Sequence, residues 1–258
     1  MLAILSPAKT LDFETPPQST RFTTPDFLKE SNRLIRQLRK FSPHEISSLM
    51  KISDKLGEQN FQRFADWQLP FDSSNAKQAL LAFKGDVYQG LEAWDFDQRD
   101  LNWAQKHLRI LSGLYGLLRP MDLIQPYRLE MGTRLATPAG QDLYQFWGRK
   151  LSVAIDQALT QQKDRLLINL ASREYSQALA LETLNCRIIT PTFKDLKQGK
   201  YKFMSFYGKQ ARGAMARHLI KQRISSLKAL KAFDGLGYRY SDELSKGDDW
   251  VFLRDTPR

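Results

Sequence analysis

Residues Pro43 to Trp67, PHEISSLMKISDKLGEQNFQRFADW, read as a helix, a tight turn and a second helix. Ser42 stands before them as a cap. Pro43 suits a first helical position, and Glu45 follows Ser42 at the capping-box spacing. Ile46, Leu49, Met50 and Ile52 supply an apolar face. The turn is expected at Ser53-Asp54-Lys55-Leu56-Gly57. A second helix from about Glu58 then presents Phe61 and Phe64 to the first. This is the layout of a helix-hairpin-helix, in which backbone N–H groups and a positive helix end hold a phosphate oxygen. Gly57 would let the backbone approach closely, and Lys51, Lys55 and Arg63 would add charge. Such contacts position a protein on nucleic acid without reading bases. The hairpin has only one glycine, so a plain helical hairpin packed on the core stands as a second reading.

On the N-terminal side, Thr24-Pro25-Asp26 predicts another helix start, followed by Phe27, Leu28, Leu34, Ile35, Leu38 and Phe41 at helical spacing. Further helices are expected near Ala76–Phe83, Asp97–Leu111, Gln141–Gln161, Lys209–Arg223 and Leu227–Phe233. Strands are expected at Leu2–Leu5, Leu166–Leu170, Arg187–Thr192, Tyr201–Phe206, Tyr238–Tyr240 and Trp250–Leu253, each short and apolar or aromatic. A helical first third thus precedes most of the strands. The fold class is mixed α/β (α+β), with residues 1–258 forming one compact domain of irregular topology and the hairpin element at about 43–67.

The 258 residues are 42% hydrophobic and 26% charged, which is globular composition and not that of a disordered chain. The longest apolar runs, such as Met1–Leu5 and Ala79–Phe83, fall far short of the roughly 18 residues a membrane helix needs. The N-terminus lacks the basic and apolar regions of a signal peptide, so a cytoplasmic protein is expected. A single cysteine, Cys186, excludes an intrachain disulfide. With three scattered histidines, no metal site and no cofactor are expected.

The formal charge is +11 and uneven. Between Lys194 and Tyr240 stand twelve basic residues against two acidic ones, a net of +10. Such a local field attracts polyanions, and nucleic acid is the commonest. A solvated basic face is the other reading. Within this segment, KQARGAMARHLIKQR (209–223) forms a helix with charge on one side and small apolar residues on the other.

Two polar loops invite an enzymatic alternative. Ser6-Pro7-Ala8-Lys9-Thr10 follows the first strand, and Lys84-Gly85-Asp86-Val87-Tyr88 follows a helix. A strand-end loop with Ser, Lys and Thr suits a phosphate, although the glycines of a P-loop are missing. Lys9, Lys84, Asp86 and Glu130 would form a catalytic set if the chain brought them together. No G-x-S-x-G elbow is present. The alternative function is therefore an enzyme acting on a nucleotide or nucleic acid, with these loops lining its pocket. Iron handling by carboxylates is a third and weaker reading.

MLAILSPAKTLDF, AFKGDVYQGL, LSGLYGLLRPMDLIQPYRLEMG, LYQFWG, INLASREY and FYGKQARGAMAR resemble the bacterial peroxide stress protein YaaA family, from residue 1 to about 253. The resemblance implies a single mixed α/β domain with a positively charged cleft and a helix-hairpin-helix, here on Ile52 to Phe64. It implies binding of duplex, bubble-containing and junction DNA, and protection from hydrogen peroxide linked to DNA repair and to limiting free iron. No catalytic activity comes with it. On charge and motif, the cleft is expected to draw on Lys9, Lys84, Arg128, Lys209, Arg212 and Arg217.

Overall fold

The computed structural model describes residues 1–255 as a mixed α/β body around one sheet. The strands of that sheet are β1 (Leu2–Leu5), β2 (Leu108–Ser112), β3 (Gly116–Leu118), β4 (Leu166–Asn169), β5 (Arg187–Lys197), β6 (Lys200–Lys202), β7 (Arg239–Tyr240) and β8 (Asp249–Arg254). Five of them, β2-β1-β4-β5-β8, are mutually parallel. β3, β6 and β7 add antiparallel edges. Among the parallel strands the first in the chain lies between the second and third. Strand order therefore reverses between β1 and β4, as in doubly wound sheets.

The central strands LAIL and LLIN are buried along their whole length, the mark of a strand covered on both faces. β5 instead buries Ile189, Pro191, Phe193 and Asp195 in strict alternation, so one face is covered. Opposite Asp195 in register stands Arg254 of β8. Their buried pair is joined by the Tyr238 hydroxyl, which donates to the carboxylate at 3.0 Å.

The helices that matter below are α1 (Leu28–Leu38), α2 (Pro43–Met50), α3 (Asp54–Asp66), α4 (Asp86–Leu91), α5 (Gln98–His107), α6 (Lys150–Thr160) and α7 (Ser205–Lys221). α5 packs on β1 and β2, and α7 packs on β5, α4 and α5. α4 and α7 cross at backbone distance. A Cβ on Gly213 would lie 1.8 Å from the Val87 carbonyl, and one on Gly90 would lie 2.0 Å from the Gln210 carbonyl.

Several local expectations change. The helix expected over Asp97–Leu111 ends at His107, because Leu108–Ser112 pairs with β1. The helix over Gln141–Gln161 breaks at Gly148 (φ 48) into Leu143–Trp147 and α6. Ala76–Phe83 keeps one helical turn between short ladders at Lys77–Gln78 and Phe83–Lys84. The strand expected over Tyr201–Phe206 stops at Lys202, and Phe206 already lies in α7.

The hairpin turn also moves. α2 carries the full Ser42–Glu45 capping box and closes at Lys51, which adopts the left-handed conformation (φ 52). Only Lys51, Ile52 and Ser53 lie between the helices, so Gly57 is not in the turn. It lies in the first part of α3, buried against α2, where a Cβ would meet Ser47 Oγ at 1.9 Å and the Pro43 carbonyl at 2.7 Å. Its missing side chain serves helix–helix contact and not approach of a ligand.

Candidate functional site

In doubly wound sheets, ligands sit beyond the carboxyl ends of the strands, where strand order reverses. Here that place is the edge beyond Leu5 and Asn169. The Leu170 amide donates to the Ile4 carbonyl at 3.0 Å. The Ser172 amide then donates to Ser6 Oγ at 2.8 Å, and the two serine hydroxyls lie 3.2 Å apart. This ties the segment after β4 to the SPAK loop after β1.

The second polar loop arrives from α4. Tyr88 donates its hydroxyl to the Ser6 carbonyl at 3.1 Å. Thr10–Leu11 pairs antiparallel with Phe83–Lys84, and a Cβ on Gly85 would touch Ala8 at 3.2 Å. Lys9 and Lys84 therefore project from adjoining backbone. The Lys9 ammonium lies 2.8 Å from Glu130, which also takes Arg128 at 3.0 Å. Lys84 lies 3.6 Å from Asp12, and Lys209 of α7 lies 3.5 Å from Asp86.

Asp12 is held in a tight turn. It accepts the Thr15 amide at 2.9 Å and the Thr15 hydroxyl at 2.9 Å. These bonds, with the amide foremost and Lys77 and Lys84 adding to them, pull its carboxyl from 3.8 down to about 2. Lys77 is buried and donates to the Asp12 and Thr15 carbonyls at 2.8 and 2.7 Å. Beside this turn lies a cavity of about 420 Å³ lined by Lys77, Phe83, Lys84, Tyr88 and Trp94.

The helical hairpin reaches the same region through its far end. Burial first, and the neighbouring Arg128 second, lower the Arg63 guanidinium below its ordinary value. Arg128 is largely buried, and its Nε has no partner. An aromatic chain runs inward from the end of α3: Trp67 on Phe71, Phe71 on Tyr115, Tyr115 on Tyr127, with centroids 5.0–6.1 Å apart. Burial raises the hydroxyl pKa of Tyr88, Tyr115 and Tyr127, so all three stay protonated.

A profile of the family described as peroxide stress protein YaaA matches residues 1–244. The chain belongs to this family. A relative from Cellvibrio japonicus (strain Ueda107), named UPF0246 protein, is 55% identical over 257 residues, covering the whole of both chains. Membership in the YaaA family supports a role in peroxide stress.

In this family member the expected basic site residues divide into four groups. Lys9 and Arg128 share Glu130, with Lys84 on the adjoining loop, Lys209 on Asp86 and Arg63 beside Arg128. Lys51 and Lys55 are exposed at the hairpin turn, and Lys55 stands eight residues of helix, or roughly 12 Å, from Arg63. Arg217 is committed elsewhere. It donates to the carbonyls of Leu91 and Glu92, lies 3.3 Å from Glu92 Oε2 and is bound by Asp95. Lys221 and Arg223 likewise meet Asp100 at 2.8 Å, so the C-terminal end of α7 is neutralised by α5 and the chain between α4 and α5. Arg212 has no carboxylate partner among the described residues and lies over Phe203, 5.9 Å from its centroid.

Sequence reading missed the Ser172 segment, the Asp12 turn and Trp94. The signal available for the first was the pair of fully apolar runs LAIL and LLIN, which as parallel neighbours place their following loops together.

Among the described residues, no three His, Cys, Asp or Glu side chains gather as a metal site. None of their helices is long and apolar enough to cross a membrane.

Proposed function

We propose that this YaaA-family protein acts in the peroxide response by binding DNA, duplex or structured, through its phosphates. One observation carries the reading: cations converge on the sheet edge faster than carboxylates do. Glu130 is shared by Lys9 and Arg128, and Asp12 by Lys77 and Lys84. Arg63 adds charge beside Arg128, and among the described residues neither it nor Arg212 of α7 has a carboxylate partner. An excess of this kind draws phosphates and releases their condensed counterions. Covered phosphates hold fewer free cations, iron included, which connects DNA binding to limiting peroxide damage at the strand.

The test is a mobility-shift titration of the full chain on duplex DNA across a salt series. Log affinity should fall linearly with log salt. Lys209→Glu/Arg212→Glu should weaken binding to all sequences alike and make the slope shallower by about 1 for each phosphate left without its cation. Binding indifferent to both salt and these substitutions would overturn the proposal.

A second reading is favoured by the adjoining loops of Lys9 and Lys84, with Glu130 on Lys9, at the strand-order reversal, where enzymes of doubly wound folds bind nucleotides. On that reading Lys9→Ala abolishes turnover of a nucleotide while DNA affinity stays nearly intact. Absence of turnover across nucleoside phosphates counts against it.

A further inference from the structure

β5 and β6 form a hairpin turned on Gln198 and Gly199, both left-handed (φ 54 and 72), the geometry of a tight two-residue turn. From this hairpin into α7 the chain reads KQGKYKFMSFYGK (197–209), with lysines and aromatic rings interleaved. Lys197, Lys200 and Lys202 are exposed. The ion pairs at this end of the chain join Arg239 to Asp255 and Arg254 to Asp195. Among the described residues the three lysines therefore have no carboxylate partner.

The rings are displayed and not packed away. Phe203 is 50% exposed and Phe206 51% exposed. Phe203 lies across Gly208, where a Cβ would come within 2.6 Å of the ring edge, and under the Arg212 guanidinium. Glycine at 208 thus lets the ring lie along α7. Two half-exposed phenylalanines among unpaired cations are an unfavourable surface for a protein alone, since apolar area is left in water. They are also the two elements that non-specific single-strand binders combine: a cationic track for the backbone and ring faces for successive bases. A closed duplex keeps its base faces stacked and offers these rings nothing. Along α7 the hairpin is followed by Lys209, which meets Asp86 at 3.5 Å, and by Arg212 over Phe203.

We propose that Phe203 and Phe206 form a stacking platform for unpaired bases of a DNA strand, with Lys197, Lys200, Lys202 and Arg212 holding its phosphates. The inference rests on the DNA-binding reading above and adds to it a site. The platform would let one protein hold duplex along the sheet edge and opened strand at the hairpin.

The experiment measures fluorescence anisotropy of the full chain with a labelled oligothymidine, a labelled duplex and phosphatidylserine vesicles. The variants are Phe203→Leu/Phe206→Leu, which keeps apolar bulk but removes the ring faces, and Phe203→Tyr/Phe206→Tyr, which keeps them. The leucine pair should lose about tenfold or more in single-strand affinity while duplex affinity is unchanged, and the tyrosine pair should bind like the parent. Unchanged single-strand binding by the leucine pair, with duplex binding intact in the parent, overturns the platform and leaves the DNA reading standing. So does equal loss on both DNA forms, or loss confined to vesicle binding, which would make the patch a membrane contact. A parent chain that binds neither DNA form overturns the platform and the DNA reading together.

Discussion

Substituting Gly213 by alanine tests the packing on which the site depends. A Cβ there would lie 1.8 Å from the Val87 carbonyl and 2.8 Å from the Leu91 amide, both backbone atoms of α4. Backbone cannot rotate aside as a side chain can. Restoring ordinary contact requires the two helices to part by roughly 1.5 Å. Overpacking of this kind costs about 1–3 kcal/mol, here at the upper end because no flexible group yields. Alanine regains about 1 kcal/mol of helix propensity over glycine. The net loss is then about 2 kcal/mol, or a fall in Tm of roughly 4–8 °C for a chain of this size, read by scanning calorimetry. α4 also carries Asp86 and Tyr88, which hold Lys209 and the SPAK loop, so salt-dependent DNA binding should weaken with it. Gly90→Ala strains the same crossing from the other side, so the double variant should cost less than the sum of the two. A Gly213→Ala protein as stable as the parent would refute the backbone-contact reasoning.

Three further outcomes are expected. Asp195→Ala strips the carboxylate from buried Arg254 and should cost about 3–5 kcal/mol in urea unfolding; a loss below about 1 kcal/mol would show that water reaches the pair. Arg217→Ala removes a network to Leu91, Glu92 and Asp95 and should cost about 1–2 kcal/mol of stability while leaving the salt slope of DNA binding unchanged; a shallower slope would return Arg217 to the interface. Because folding lowers the Asp12 pKa to about 2, its ionised form stabilises the fold above the ordinary carboxylate value near 3.8. That contribution should fade as pH falls from about 4 to about 2. Asp12→Asn should flatten the acid limb of the stability curve in that window, and an unchanged limb would dismiss the turn as a source of stability.

Much of the local structure is legible in residue order. The Ser42–Glu45 capping box forms as its spacing predicts, and the apolar runs at Leu2–Leu5 and Leu166–Asn169 are central strands. The misreadings fall where pairing partners are remote. Leu108–Ser112 continues a helical pattern along the chain yet becomes a strand because β1 lies alongside it. Gly57 has the look of a turn glycine, but its role is set by Ser47 and Pro43 across the helix pair. The loops bearing Lys9 and Lys84 were visible as polar motifs; that they adjoin was not, since more than seventy residues separate them.

Residue order alone determined the charge excess, where it falls along the chain, the family, and which segments are helical or extended by their own periodicity. Those properties are local or additive, and each can be read from a few neighbouring side chains. Packing in three dimensions set which cations remain available. Arg217 and Lys221 meet Asp95 and Asp100 through the packing of α7 on its neighbours, while among the described residues Lys197, Lys200 and Lys202 have no carboxylate partner, because Asp195 and Asp255 are taken by Arg254 and Arg239. Charge pairing falls off over a few ångströms, and only the fold sets distances on that scale between residues a hundred positions apart.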